Sequence, residues 1–183
     1  MSQDLQQTNP DPILGGRYKI INQLAAGGFG QTFLAQDTHL PGEPQCVVKK
    51  LKPQTRDAEN LLMARRLFDT EAQALYQLGN HSQIPRLLAH FEEEQEFYLV
   101  QEFIDGEPLT EELTGSKLWS QTEVIAMLMD ILQVLEFVHQ QQVIHRDIKP
   151  PNLIRRKSDG KIVLIDFGAV KQVSTQILDP STG

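Results

Sequence analysis

Apolar and polar residues alternate in several stretches of the first half of the chain, and that two-residue period predicts β-strands. Tyr18-Lys19-Ile20-Ile21 leads into Leu24, a glycine cluster follows, and Thr32-Phe33-Leu34-Ala35 resumes. That order reads as strand, glycine-rich turn, strand. A loop from His39 to Pro44 precedes a third strand, Cys46-Val47-Val48-Lys49-Lys50-Leu51. From about Arg56 to Leu78 the spacing becomes helical, with Leu61, Phe68, Ala72, Leu75 and Leu78 in phase, and Gly79-Asn80 stops the helix. Two more strands, Arg86 to Phe91 and Phe97 to Glu102, are joined by the acidic turn Glu92-Glu93-Glu94 before Asp105-Gly106 breaks the chain.

The second half is patterned differently. Ser120-Gln121-Thr122-Glu123 fits a capping box, in which serine and glutamate satisfy each other's free backbone donors. Val124, Leu128, Ile131, Leu135 and Val138 then line one helical face, which Ile125 and Leu132 widen. The helix ends in Gln140-Gln141-Gln142. A polar loop from His145 to Asn152 follows, and then a hairpin in which Leu153-Ile154 faces Lys161 to Ile165 across Ser158-Asp159-Gly160. A β-rich half with one helix, followed by a helical half, predicts an α+β fold in two lobes.

Composition narrows the functions. The chain has 183 residues, 40% of them hydrophobic and 22% charged, as in an ordinary globular domain. Its net charge of -7 argues against nucleic acid or an anionic membrane as partner. Cys46 is the only cysteine, which excludes an internal disulfide or a cysteine metal cluster and suits a cytoplasmic location. The polar segment 1–13 reads as a disordered tail without the features of a signal peptide, and no apolar run is long enough to span a bilayer.

Four groups of residues carry candidate chemistry. In Leu24-Ala25-Ala26-Gly27-Gly28-Phe29-Gly30-Gln31-Thr32, glycines between two strands let backbone N–H groups approach phosphates, although a plain hairpin turn has the same look. Lys49 and Lys50 are adjacent on a strand, so one faces inward and needs a counter-charge; Glu71, in the middle of the next helix, is the natural one. Two solvated lysines are the bland alternative. His145-Arg146-Asp147-Ile148-Lys149-Pro150-Pro151-Asn152 is more specific. Asp147 can accept or orient a hydroxyl proton, Lys149 can neutralise a phosphoryl group, and Asn152 can offer an oxygen to a metal ion. Asp166-Phe167-Gly168 places a carboxylate after the apolar run Ile162-Val163-Leu164-Ile165, a suitable hard ligand for Mg²⁺.

These residues, in this order, resemble the signature set of protein kinases, specifically the eukaryotic-like serine/threonine kinases of bacteria. The resemblance runs from about Leu14 to the C-terminus and implies the two-lobe kinase fold over 14–183. Residues 14–104 would form a complete β-rich N-lobe with its hinge, and 105–183 only the first part of the helical C-lobe. It implies ATP and Mg²⁺ as cofactors and a protein bearing Ser or Thr as acceptor. Lys49, Glu71, Asp147 and Lys149 take the catalytic positions, and Asn152 and Asp166 those of metal ligands. The loop residues 24–32, with Val47, Lys49, Gln101, Glu102 and Ile104, take the nucleotide site, Gln101 as gatekeeper and Glu102 and Ile104 at the adenine edge. Leu75, Leu87, His145 and Phe167 would stack between the lobes. Lys149 marks the serine/threonine class.

Three features depart from the family pattern. Ala25 stands at the first loop glycine, where a positive φ would strain it. Thr32 stands where valine covers the adenine. The sequence stops at Gly183, before the Ala-Pro-Glu type motif and the later helices, so it reads as a truncated kinase domain. That stop leaves a second function open: a truncated kinase or pseudokinase that binds nucleotide or a partner, or self-associates through the exposed face of helix 124–138. Small-molecule phosphotransfer is a third, disfavoured by the His-Arg-Asp-Ile-Lys run. Arg146 resembles an arginine that reads a phosphate, with Ser174, Thr175, Ser181 and Thr182 as candidate acceptors.

Overall fold

The computed structural model describes residues 13–27, 30–51, 58–116 and 118–172. Residues 1–12 of the expected tail, Gly28, Phe29, Arg56, and the candidate acceptors Ser174, Thr175, Ser181 and Thr182 lie outside the described residues, while Ile13, the last residue of that expected tail, is in a strand because it pairs with Lys19. Strands β1 (Ile13–Leu14), β2 (Tyr18–Gly27), β3 (Gly30–Asp37), β4 (Gln45–Leu51), β5 (Leu87–Glu93) and β6 (Glu96–Glu102) form one sheet in the order β1-β2-β3-β4-β6-β5. All of its neighbours are antiparallel. The turn between β5 and β6 falls at Glu94 and Gln95, both with positive φ, rather than at 92–94, because Glu92 and Glu93 still pair with Phe97 and Glu96.

Alternation along the strands divides this sheet between two cores. Tyr18, Ala35, Cys46, Val48, Tyr98 and Val100 pack together on one face. Phe97 and Leu99 point the other way, into a second core with Phe68, Leu75 and Leu78 of helix α1 (Ala58–Leu78). That core continues into helix α3 (Gln121–Gln140) through Ile131, Val134 and Val138. The apolar positions of α1 therefore bind the sheet to the helical half.

Helix α3 begins with the expected capping box: Ser120 accepts from the Glu123 N–H, and Glu123 accepts from the Ser120 N–H. Its buried line is rotated from the expected one. Ile131, Val134 and Val138 are buried, while Ile125, Leu128, Met129 and Leu132 are about half exposed. The periodicity fixes that α3 is amphipathic; which edge of a wide apolar stripe meets the core is set by β8 (Val143–Ile144) and β10 (Ile162–Leu164), which pack on it.

The second half also holds elements that the pattern does not announce. β7 (Gly106–Pro108) adds to the expected hairpin of β9 (Leu153–Arg156) and β10, in the order β10-β9-β7. Helix α2 (Leu109–Thr114) follows β7, and β8 pairs with β11 (Lys171–Gln172). Each is too short for a period to show. Among the described residues no helix is long and apolar enough to cross a membrane.

Candidate active site

The β2–β3 hairpin, the end of β4, the middle of α1, the loop after β8 and the segment after β10 converge on a cavity of about 520 Å³. It is lined by Ala25, Ala26, Gly27, Gly30, Gln31 and Thr32 on one side, and by Lys49, Glu71, Asp147, Lys149, Asp166 and Gly168 on the other. Each of the four candidate groups of the sequence reaches this one space.

Register explains the hairpin's contribution. Ala25 pairs with Thr32, and Thr32 with Lys49 across the next strand pair. Ala25 follows a register shift after Gln23 but is strand with no positive φ, so the expected strain at this position is absent: β2 runs on to Gly27. Gly30 is the constrained position. Its φ is 147°, and a Cβ on it would sit 2.1 Å from the Lys50 carbonyl oxygen. Thr32 lines the same cavity as Lys49.

Lys49 and Lys50 separate as strand alternation requires. Lys50 turns to Glu96 and lies over the Tyr98 ring. Lys49 turns inward, its Nζ 2.7 Å from Glu71 Oε1 and 2.6 Å from Asp166 Oδ1. Glu71 is buried on α1 and Asp166 is partly exposed. Burial opposes the Lys49 charge, but the two carboxylates outweigh it and raise its pKa. Burial likewise pushes the Asp166 carboxyl up, and Lys49 more than compensates, holding it below the ordinary carboxylate value.

In the loop after β8, Asp147 accepts from Lys149 at 2.8 Å and from Asn152 Nδ2 at 2.9 Å. The Lys149 contact is the main reason its carboxyl lies below the usual value, so the group stays an anionic acceptor at neutral pH. Asn152 is buried and spends its amide nitrogen on Asp147 Oδ2 and the Asp147 carbonyl, which leaves its amide oxygen for another ligand. His145 is buried and fixes the loop from beneath. Its Nε2 donates to the Ile165 carbonyl, its Nδ1 accepts from the Asp147 N–H, and its ring meets Phe167 edge-on at 4.8 Å. Burial lowers its pKa, consistent with a neutral ring used as donor and acceptor at once.

Arg146 and Asp166 both have φ of 66°, a region that costs a residue with a side chain about 1 kcal/mol or more. Arg146 Nε donates to the Ala169 carbonyl at 2.6 Å, tying this loop to the segment after Gly168. No pattern of residue types announces that contact, which joins a side chain to a backbone atom 23 positions away.

The other expected nucleotide residues lie apart from this cavity. Leu24, Val47, Gln101, Glu102 and Ile104 are not among its lining residues. Val47 pairs with Gln101, on the same sheet face as Lys49 and Leu99. Gln101 is buried and its Oε1 has no hydrogen-bond partner among the described residues, while Ile104 is buried where the chain leaves β6. Leu75, His145 and Phe167 are fully buried, with Leu87 packed at the margin of the same core.

Asp166 lines the cavity, while Asn152 is buried outside its lining and reaches it only through Asp147; each carries a hard oxygen donor. That donor set fits Mg²⁺, which takes one or two protein oxygens and fills its shell with phosphate and water. Among the described residues no cluster of three or more His, Cys, Asp or Glu is arranged to hold a metal ion without such help.

Comparison with known proteins agrees in one direction. The family model described as protein kinase domain matches residues 18–181. Serine/threonine-protein kinase B of Synechocystis sp. is 51% identical over 169 residues, 92% of this chain and 29% of that protein. Serine/threonine-protein kinase PknA of Nostoc sp. is 45% identical over 163 residues, 88% of this chain and 29% of that protein. A probable serine/threonine-protein kinase of Bacillus subtilis, YbdM, is 32% identical over 169 residues, 91% of this chain and 62% of that protein. The chain thus spans less than a third of the length of the two cyanobacterial relatives.

Proposed function

Because this chain belongs to the protein kinase family, we propose that its cleft transfers the γ-phosphoryl group of ATP to serine or threonine hydroxyls of a protein substrate in the cytoplasm. The observation that carries this reading is the single ammonium of Lys49 shared by Glu71 and Asp166, across one cavity from the Asp147–Lys149 pair. We read 14–104 as the N-lobe with its hinge and 105–183 as the start of the C-lobe.

Lys49, kept charged by its neighbours, grips the phosphates from above, and Glu71 fixes its position. Asp166 and Asn152 would hold Mg²⁺, which neutralises phosphate charge when bound. Asp147, an acceptor at neutral pH, orients the substrate hydroxyl in line with the γ-phosphorus. Lys149 balances charge on the transferred group as the bond to the β-phosphate oxygen breaks. The rate gain lies in positioning and electrostatics. Gln101, Glu102 and Ile104 would meet the base. The half-exposed strip of Ile125, Leu128, Met129 and Leu132 supports contact of α3 with further protein surface, a second copy included.

Radiolabelled ATP with a mixed protein acceptor, comparing the chain with Lys49→Met, tests this reading. Labelled phosphoserine or phosphothreonine that disappears in the variant is expected. Nucleotide binding without transfer would favour a binding module instead, and equal labelling by Lys49→Met would overturn the assignment.

A further inference from the structure

We infer that Gln83 is a positioning residue that sets where Asp166 stands relative to Lys49 and Glu71. It lies in the loop between α1 and β5, away from the cavity, and is 5% exposed. Its Nε2 donates to the Ile162 carbonyl at 2.9 Å and to the Asp130 carbonyl of α3 at 3.2 Å. Its own carbonyl accepts from the Leu164 N–H at 2.9 Å. Among the described residues β10 pairs with β9 along one edge only, as the outer strand of its sheet. Gln83 occupies the other edge, taking the carbonyl of Ile162 with its side chain and the N–H of Leu164 with its backbone. One residue thus does the work of a neighbouring strand.

β10 leads directly to Asp166. Asp130 closes the arrangement from α3: its carboxylate accepts from the Ile162 N–H and from Lys161. The loop holding Gln83 is itself fastened. His81 stacks on Phe137 of α3 at 4.5 Å and its Nδ1 accepts from the Gln83 N–H. Arg156 of β9 donates to the Ser82 carbonyl, and Gln77 of α1 donates to the Gln141 carbonyl after α3. Helix α1, which carries Glu71, and strand β10, which delivers Asp166, are therefore tied at a common point, and Gln83 is the side chain that bonds to β10 and α3 together.

The inference rests on the nucleotide reading for one of its two readouts. Gln83→Met keeps length and volume but removes the donor, and Gln83→Glu keeps shape but turns an oxygen toward two carbonyls. In Gln83→Met the gain in ATP affinity on adding Mg²⁺ is expected to fall about tenfold, while ATP alone binds within about twofold of wild type. Gln83→Glu should lose more. Independently of any nucleotide, the amides from Leu164 to Gly168 should exchange with deuterium faster in Gln83→Met, with the amides of β2 and β3 unchanged. Wild-type exchange at 164–168 would overturn the inference. So would equal weakening of ATP with and without Mg²⁺, which would mark a role in general folding. A wild-type chain with no Mg²⁺-dependent gain would sink the nucleotide reading, and the exchange result would still decide the role of Gln83.

Discussion

Gly168 packs so closely on Glu71 that a Cβ added to it would stand 3.2 Å from Glu71 Oε2 and 3.5 Å from Asp166 Oδ1. The glycine of Asp166-Phe167-Gly168 therefore makes room for the carboxylate that holds Lys49. In Gly168→Ala the methyl presses on Glu71, whose Oε1 is fixed at 2.7 Å from Lys49. The expected result is a stability loss of about 1 kcal/mol and a larger loss of phosphoryl transfer. A variant that loses stability but keeps the wild-type rate would show that this contact does not govern the site.

Gly27 and Gly30 of the β2–β3 hairpin should respond to substitution to very different degrees. A Cβ on Gly27 meets nothing within 4 Å, whereas on Gly30 it meets the Lys50 carbonyl oxygen at 2.1 Å. Since that obstacle is backbone and the φ of Gly30 is 147°, β3 must shift away from β4. Gly30→Ala is expected to cost roughly 2–3 kcal/mol, and Gly27→Ala under about 1 kcal/mol. Urea denaturation measures both, and equal costs would contradict the register drawn here.

Much of the fold was legible because its strands and long helices are periodic over several residues. Strand alternation required one of Lys49 and Lys50 to face inward, the family resemblance chose Lys49, and the middle of α1 offered Glu71 as its partner. Ser120 and Glu123 form the expected capping box. What stayed hidden depends on distant backbone. The bond from Arg146 to the Ala169 carbonyl, the two bonds from Gln83 Nε2 and the short pairing of β8 with β11 all answer to where a carbonyl or N–H is left unpaired, which no residue type encodes. Ala25 shows the converse. The family pattern suggested a strained position, yet the pairing of Ala25 with Thr32 keeps it extended.

Removing Lys49 leaves Glu71 buried at 3% exposure without its cation. Lys49→Met is expected to lose roughly 3 kcal/mol of stability, because an uncompensated buried carboxylate costs more than the ion pair contributes. Lys49→Met with Glu71→Leu should recover part of that loss and none of the activity. A double-mutant cycle by chemical denaturation checks this, and additive losses would mean the two groups do not interact.

His145, which is buried, and His81, which is half-buried, should make the chain acid-sensitive above the carboxylate range. Burial lowers the pKa of both His81 and His145 relative to the unfolded chain. The unfolded state then binds more protons between the folded and unfolded values, so stability rises with pH there and falls as pH drops below about 6.5. At His145 the hydrogen bond to the Ile165 carbonyl, and after it the carboxylates of Asp166 and Asp147, partly offset the effect of burial. His145→Phe keeps a ring against Phe167 and should flatten the drop in melting temperature between about pH 7 and pH 5.5. An unchanged pH profile would place the sensitivity at His81 or elsewhere.

Lys149 should set the acid limit of catalysis through Asp147. Its hydrogen bond is the largest cause of the depressed Asp147 pKa, with Asn152 adding to it, while desolvation and Asp166 act the other way. A depressed value means that Asp147 remains an acceptor until the pH falls well below the ordinary carboxylate range. Lys149→Met removes the main cause, so the folded pKa of Asp147 rises toward or above its unfolded value. The acidic limb of the pH–rate profile should then move to higher pH, alongside a fall in kcat of about 10²-fold from the lost phosphoryl contact. Asn152→Ala should shift the same limb less and raise the Mg²⁺ concentration needed for half-maximal rate. If Lys149→Met lowers kcat equally at every pH, the limb reports another group and Asp147 is not the acceptor that the rate senses.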